Sequence, residues 1–555
     1  MTLRPRLTIP LLLSLAALSC ATARPPPPPP APAPSALAPA PAPAEAAPAP
    51  AEPAPAPEPV ASPIPSERPA PPAGMASPAP EGLDRSRPPP LGPSVPLRLP
   101  DQHHFTLSNG LRVRLVEYHR LPVVAVDLVV DAGGARDPAD RPGVASFTAA
   151  MVTEGTRTRT ATQISDQVGL LGADLGASAG PDSSTLSGAT LVEHLPAFLD
   201  IFADVAAHPA FPAPDFDRVK DERRVALLQQ RDQPPALAAR TFVGAFWGRH
   251  PYGHPLLGTE ASLERTRASD LARFHDRFWV PANAELVMVG DVTEAEAKQL
   301  LERSLGSWAP GEPAPPLPAR SPAAPHRTLI VDKPGAPQAY LVLGAPGLDR
   351  RSPDYVAASV MLEVLGGGSN SRLFRSLREE KGYTYGIYAG ADARRLAGAI
   401  LVRGNVRANV TGPAIKDLLA ELSRMRDEPV PEEELAEAKA GLVRSLPGEF
   451  ATAAEIAGHL GELAMHGLPD DYWNGYAREV EGVTASDVQR AARRYLAPGR
   501  TTMVLVGAQE VVQPQLAGLP VGPVELHREV NPPLPRKRSR PSPAAAGAVE
   551  TGAAD

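Results

Sequence analysis

Side chains that could hold a metal or move a proton are sparse and scattered along this chain. Of its 12 histidines, His250 and His254 have the i, i+4 spacing that would bring two ligands onto one helix face. Pro251 and Pro255 argue against a regular helix there, so the pair reads as structural. His103 and His104 are adjacent and would point to opposite faces of any strand, and His194, His208 and His275 stand alone. One cysteine excludes a disulfide framework and a cysteine-based zinc site. The run GGGSNS (residues 366–371) has the glycines of a phosphate-binding loop but lacks its Gly-Lys-Ser/Thr end, and reads as a flexible loop after a helix. No local cluster declares a reaction, so the chemistry has to be sought in the elements that would bring distant residues together.

The chain has 555 residues and 70 prolines. Thirty of those prolines lie between Ala21 and Pro100, a stretch without Phe, Tyr or Trp, which has too little apolar surface to offset the entropy of ordering it. It reads as a semi-rigid polyproline stalk, and the folded part as about 420 residues (97–516). With 55 basic against 62 acidic side chains the net charge is −7, which argues against nucleic-acid binding. The cluster Arg536, Lys537, Arg538 and Arg540 reads as a solvated end. Arg4 and Arg6 precede a short apolar run from Leu7 to Leu18, as in a signal peptide. Ala-Leu-Ser-Cys then resembles a bacterial lipobox, with Ala17 where leucine is usual. The expectation is an exported chain lipidated at Cys20 and anchored to a membrane of the bacterial cell envelope, on the periplasmic side or at the outer membrane. Ordinary secretion and an uncleaved anchor are the alternatives.

The folded part is duplicated. Ala268-Ser269-Asp270, Phe278, Pro281 and LVMVGDV recur as Ala485-Ser486-Asp487, Tyr495, Pro498 and MVLVGAQ, at a constant offset of 217 (485 − 268, 498 − 281, 507 − 290). Each copy reads as a helix, an X-Pro step and an apolar strand closed by glycine. Residues 111–117, 123–133, 328–332 and 339–347 read as strands, and 145–152, 214–231 and 353–365 as helices. That order predicts an α+β fold of two homologous domains, each a largely antiparallel sheet packed with helices. The expected division is a signal peptide (1–20), a stalk (21–98), a first domain (99–310), a linker (311–325), a second domain (326–515) and a disordered tail (516–555).

The strings LSNGLRVRLVE, DAGGARDPADRPGVASF, MVTEGT, HPYGHPLLGT, FWVPANAELVMVGDV and GGGSNSRLFRSLREEKGYTYG resemble the insulinase/pitrilysin family of zinc metallopeptidases, in its bacterial and mitochondrial-processing branch. The resemblance spans about residues 102–507. It implies that the two domains form a clamshell. It also implies an inverted zinc motif, His-x-x-Glu-His, on a helix of the first domain, completed by a glutamate on a later helix. In GVASFTAAM the two histidine positions hold Ser146 and Ala150 and the catalytic glutamate position holds Ala149, while the distal glutamate aligns with Gln229, within one residue. Alanine has no donor atom, and a serine hydroxyl or neutral amide is a poor zinc ligand, so no metal or other cofactor is expected in this chain. The second half keeps Arg378 and Tyr385, which match the family's arginine–tyrosine pair. In relatives these donors face the zinc site and suit the carbonyl and oxyanion of a peptide.

The reading that follows is a non-catalytic subunit of a heteromeric zinc peptidase. It would bind extended peptide, by strand addition to a sheet edge, and supply Arg378 and Tyr385 to a homologous partner that carries the zinc. The alternatives are an envelope binding or scaffold protein with no protease in its complex, and a hydrolase with an unrecognised site.

Overall fold

The computed structural model describes Gly92 and residues 95–318 and 320–528. The expected signal peptide, Cys20, nearly all of the stalk and the basic cluster near the C-terminus lie outside the described residues.

The first half supplies β1 (Gln102–Thr106), β2 (Arg112–Glu117), β3 (Val123–Val130), β4 (Asp174–Ala179), β5 (Ser184–Leu191) and β6 (Ala284–Gly290). They form one six-stranded sheet in the order β1-β2-β6-β3-β5-β4. Its principal helices for the site are α1 (Val144–Val152), α2 (Ala213–Asp232) and α3 (Pro234–Trp247). The second half supplies β7 (Arg327–Asp332), β8 (Gln338–Pro346), β9 (Gly386–Ala393), β10 (Gly398–Arg407), β11 (Thr502–Gly507) and β12 (Val524–His527), in the order β12-β7-β11-β8-β10-β9. Its counterpart helices are α4 (Tyr355–Leu362), α5 (Glu432–Glu449) and α6 (Ala453–His466).

The two orders superimpose strand for strand, with a parallel pair at the same place in each (β2 with β6, β7 with β11) and antiparallel pairing from there to β4 and β9. The difference is at one edge. β1 arrives from the N-terminal side and runs antiparallel to β2, whereas β12 arrives from the C-terminal side and runs parallel to β7. The fold is thus α+β with two homologous, mainly antiparallel sheets, as the repeat in the sequence predicts.

Side-chain alternation shows what covers each sheet. Along β11, Met503 and Leu505 join the second half's main core while Val504 and Val506 face α3 of the first half, packed with Phe242, Phe246 and Trp247. Along β6, Leu286 and Met288 join the first half's own core while Val287 and Val289 lie in the cluster that holds Leu460 and Leu463 of α6. Each half therefore lays one helix on the other half's sheet. Gly344 in β8 makes the first contact possible, since a Cβ there would meet Phe242 Cζ at 2.2 Å. Helix α6 also comes close to β3, a Cβ on Gly461 lying 3.0 Å from Val129 Cγ2. Polar ties add to this: Arg395 pairs with Asp131 at 2.9 Å, and the buried Asp182 accepts from Tyr252 and from the Arg395 amide.

Two expectations need correction. Residues from 516 do not all belong to a tail, because Leu516 and Val521 are buried and β12 pairs with β7. The helix expected over 353–365 is regular only to Leu362 and continues as a wider turn that breaks at Gly366 (φ −162°, ψ 25°).

Because each sheet is closed by the other half's helix, the halves should unfold in one coincident transition. Gly344→Val should lower its free energy by about 1–3 kcal/mol through overpacking against Phe242, read by denaturant titration with fluorescence and circular dichroism. Two separate transitions in the parent chain would contradict this packing.

Candidate functional site

Helix α1 begins at Gly143, whose φ of 96° suits glycine, and whose Cβ position would lie 2.9 Å from the Gly258 backbone. Gly143 has no side chain to cap the helix. Asp137 does so instead, accepting from the Gly143 and Ala145 amides at 2.6 and 2.7 Å. Burial pushes the Asp137 carboxyl up to about 7, against the pull of those two amides and of the Arg223 charge.

The structure accounts for each degenerate position. Ala149 is buried in the first-half core and Ala150 packs on it. The Ser146 hydroxyl donates to the Leu256 carbonyl and accepts from Arg223 Nη2 at 2.6 Å. Gln229 is exposed on α2, and Gln230 lines the cavity beside Ser146 in its stead. Arg223, Leu227 and Gln230 fall at i, i+4 and i+7, so they share the face of α2 turned toward α1. The expected position, Gln229, is thus one residue away from the side chain that reaches the cavity. Arg223 was not foreseen as part of the site.

The cavity measures about 470 Å³ and is partly open to solvent. Arg394 reaches it from the second half, over the rings of Trp247 and Tyr252. His254 also lines it, and burial pulls its imidazole down toward the neutral form. His250 is buried too, its Nδ1 accepting from the Tyr252 amide. His103 and His104 pair with Glu294 and Asp470, and the buried His275 meets the Ala206 carbonyl. Among the described residues no group of three or more His, Cys, Asp or Glu is placed to hold a metal ion. A zinc ion does not fit the residues beside Ser146: two alanines offer nothing, the hydroxyl is already engaged, and a guanidinium stands next to it.

Arg378 and Tyr385 are brought together on the second half. The Arg378 guanidinium lies 4.5 Å from the centroids of both the Tyr385 and Phe374 rings, a cation–π sandwich. Tyr385 is 81% exposed and immediately precedes the edge strand β9. No carboxylate among the described residues pairs with Arg378. Neither residue belongs to the wall of the Ser146 cavity.

The GGGSNS loop is fastened and acidic. Ser371 donates to the Gly368 carbonyl and Asn370 to Glu437 on α5. The cavity beside it, about 390 Å³, is lined by Glu363, Glu434 and Glu437 along with Arg375 and Arg444. Burial alone raises the Glu363 carboxyl. Carboxylates at that loop oppose a bound phosphate.

Residues 112–260 match the family model for insulinase (peptidase family M16), and residues 267–442 match the one for the peptidase M16 inactive domain. The chain belongs to the insulinase family of peptidases. An uncharacterized zinc protease of Mycobacterium bovis is 26% identical over 428 residues, covering 74% of this chain and 94% of that protein. One from Bacillus subtilis is 25% identical over 345 residues, or 62% and 83% of the two chains. Among solved structures, a peptidase M16 inactive domain from Pseudomonas fluorescens aligns with a TM-score of 0.70 at 27% identity, over 74% of this chain and 98% of that one. A protease from Helicobacter pylori shares the fold at a TM-score of 0.68 and 20% identity, over 74% and 100%. The matched family models thus extend over both halves of the chain.

Asp137 gives this site a pH signature. A carboxyl whose pKa is raised by folding favours the fold while protonated. Its contribution is full below the unfolded value of about 4 and is lost as pH rises through about 7. Between pH 5 and 8 the parent chain should lose roughly 2–4 kcal/mol relative to Asp137→Asn, measured by denaturant unfolding at each pH. Parallel pH profiles for the two chains would contradict the assignment.

Proposed function

We propose that this insulinase-family protein is the non-catalytic, peptide-binding subunit of a heteromeric zinc metallopeptidase in the bacterial cell envelope. The observation that carries the proposal is the contrast between its two halves. In the first, the positions of metal and base are absorbed into core packing and an Arg223–Ser146 hydrogen bond. In the second, Arg378 and an 81% exposed Tyr385 stand together at the start of a free strand edge, where packing gives Tyr385 no reason to be.

On this reading the chain activates no water, because it has neither a metal nor a carboxylate base at the first-half site. Its work is to hold substrate. An extended peptide that adds to β9 as a further strand gains backbone hydrogen bonds along the edge and passes the Arg378 and Tyr385 donors. Those donors hold the scissile carbonyl and its developing negative charge while the zinc and the base come from a homologous partner chain. An N-terminal lipid on Cys20 would keep the complex at a membrane, with the Pro-rich segment as spacer. Among the described residues no helix is long and apolar enough to cross a membrane.

The test is reconstitution of the full chain with a homologous zinc-bearing subunit and a quenched fluorescent peptide. The isolated chain should hydrolyse nothing at any zinc concentration. Arg378→Ala combined with Tyr385→Phe should lower kcat/KM of the complex by roughly 100-fold, the usual scale for losing an oxyanion donor. Full activity of the complex with both substitutions would overturn the proposal.

A further inference from the structure

The first-half cavity holds no group of metal ligands among the described residues, yet its wall is polar and its charged side chains are all basic. Arg223, Arg240 and Arg394 all line it, and among the described residues its wall carries no carboxylate. Two of these arginines are matched nearby: Arg240 pairs with Glu260 at 2.8 Å, and Arg394 with Asp392 at 2.6 Å. Arg223 is different. It is 8% exposed, and among the described residues no carboxylate oxygen lies within 4 Å of its guanidinium.

Its neighbours are neutral acceptors: Ser146 Oγ at 2.6 Å, and the carbonyls of Gly143, Ser146 and Leu257, each at 3.4 Å. Its Nε has no hydrogen-bond partner. The face of the Phe147 ring lies 4.8 Å from Cζ. Asp137 is the acid that acts on this charge, but its two oxygens are occupied by the Gly143 and Ala145 amides that start α1. A buried guanidinium that lines a cavity and meets only neutral oxygens, three of its four contacts as long as 3.4 Å, is complementary to a planar oxyanion.

We propose that the cavity beside Ser146 binds a carboxylate, held by Arg223 and drawn in by the arginine-rich wall. The site that in zinc-bearing relatives holds a cation thus holds an anionic group of the ligand here. This rests on the peptide-binding reading and deepens it: the peptides taken by this chain carry a carboxylate, as a free C-terminus or as an acidic side chain. Ser146 suits the role, since its hydroxyl orients Arg223 without neutralising it.

The experiment uses the full chain and calorimetric titration with three peptides of one sequence. One has a free C-terminus, one an amidated C-terminus, and one an amidated C-terminus with a glutamate near its end. The carboxylate-bearing peptides should bind about 10- to 100-fold more tightly than the neutral one, the range for a charge-assisted contact. The preferred peptide of the two identifies the source of the carboxylate. Arg223→Gln should abolish the preference. Ser146→Asp keeps the buried arginine and sets a carboxylate of the protein's own beside it, so it should fold and also abolish the preference.

Equal binding of all three peptides, or a preference that survives Ser146→Asp, overturns the inference and leaves peptide binding intact. If no peptide binds, the peptide-binding reading falls. The carboxylate site is then decided by acetate against chloride at equal ionic strength: a thermal transition raised by acetate in the parent chain but not in Ser146→Asp supports it, and no difference overturns it.

Discussion

Everything in the folded part depends on a reciprocal contact, in which each half covers its partner's sheet with a helix. Strands β6 and β11 are apolar on both faces, and a sheet buried on both faces needs cover from two sides. The duplicated unit provides one cover from its own helices and lends the other. Buried side chains such as Phe242, Phe246, Leu460 and Leu463 lie across that exchange. Each stabilises the pair by about 1.5–3 kcal/mol as an upper estimate. The exchange also fixes the site, because α2 runs directly into α3 and cannot move without disturbing the second sheet.

That constraint explains how the fold stands with no histidine or glutamate on α1. The positions on α1 face α2 and the core, and the packing there accepts alanine, the residue with the best helix propensity. At Ala149 the side chain is simply part of the core. At Ser146 the hydroxyl accepts from Arg223, which also reaches the carbonyls at the start of α1 and the Leu257 loop. A guanidinium at this place disfavours any cation beside it. The second half, by contrast, kept donors at its surface and carboxylates around its glycine loop.

Much of this was legible in the residues. The strands around LRVRLVE, VVAVDLVV, TLIVD and AYLVLGAP announce themselves by β-branched apolar runs, and the offset of 217 predicts two like sheets. What escaped has a common cause in long-range placement. β12 is four residues, VELH, half exposed, and is held by backbone pairing with β7 that leaves little periodic trace. Arg223 sits in the charged run DERR, and its burial follows from the phase of α2 against α1. The helix exchange was equally hidden, because an apolar helix face carries no label for which sheet it covers. Gln230 escaped along with Arg223, since its spacing from Arg223 and Leu227 tells only once α2 is packed on α1.

The central claim is that the first-half site has no place for a metal. Elemental analysis of the purified full chain, after dialysis against zinc and then against buffer, tests it most directly. The account predicts zinc near zero per chain, because no ligand set surrounds Ser146 and Arg223 occupies the ground beside it. One zinc per chain would contradict it and would mean that ligands elsewhere in the sequence have rebuilt a metal centre.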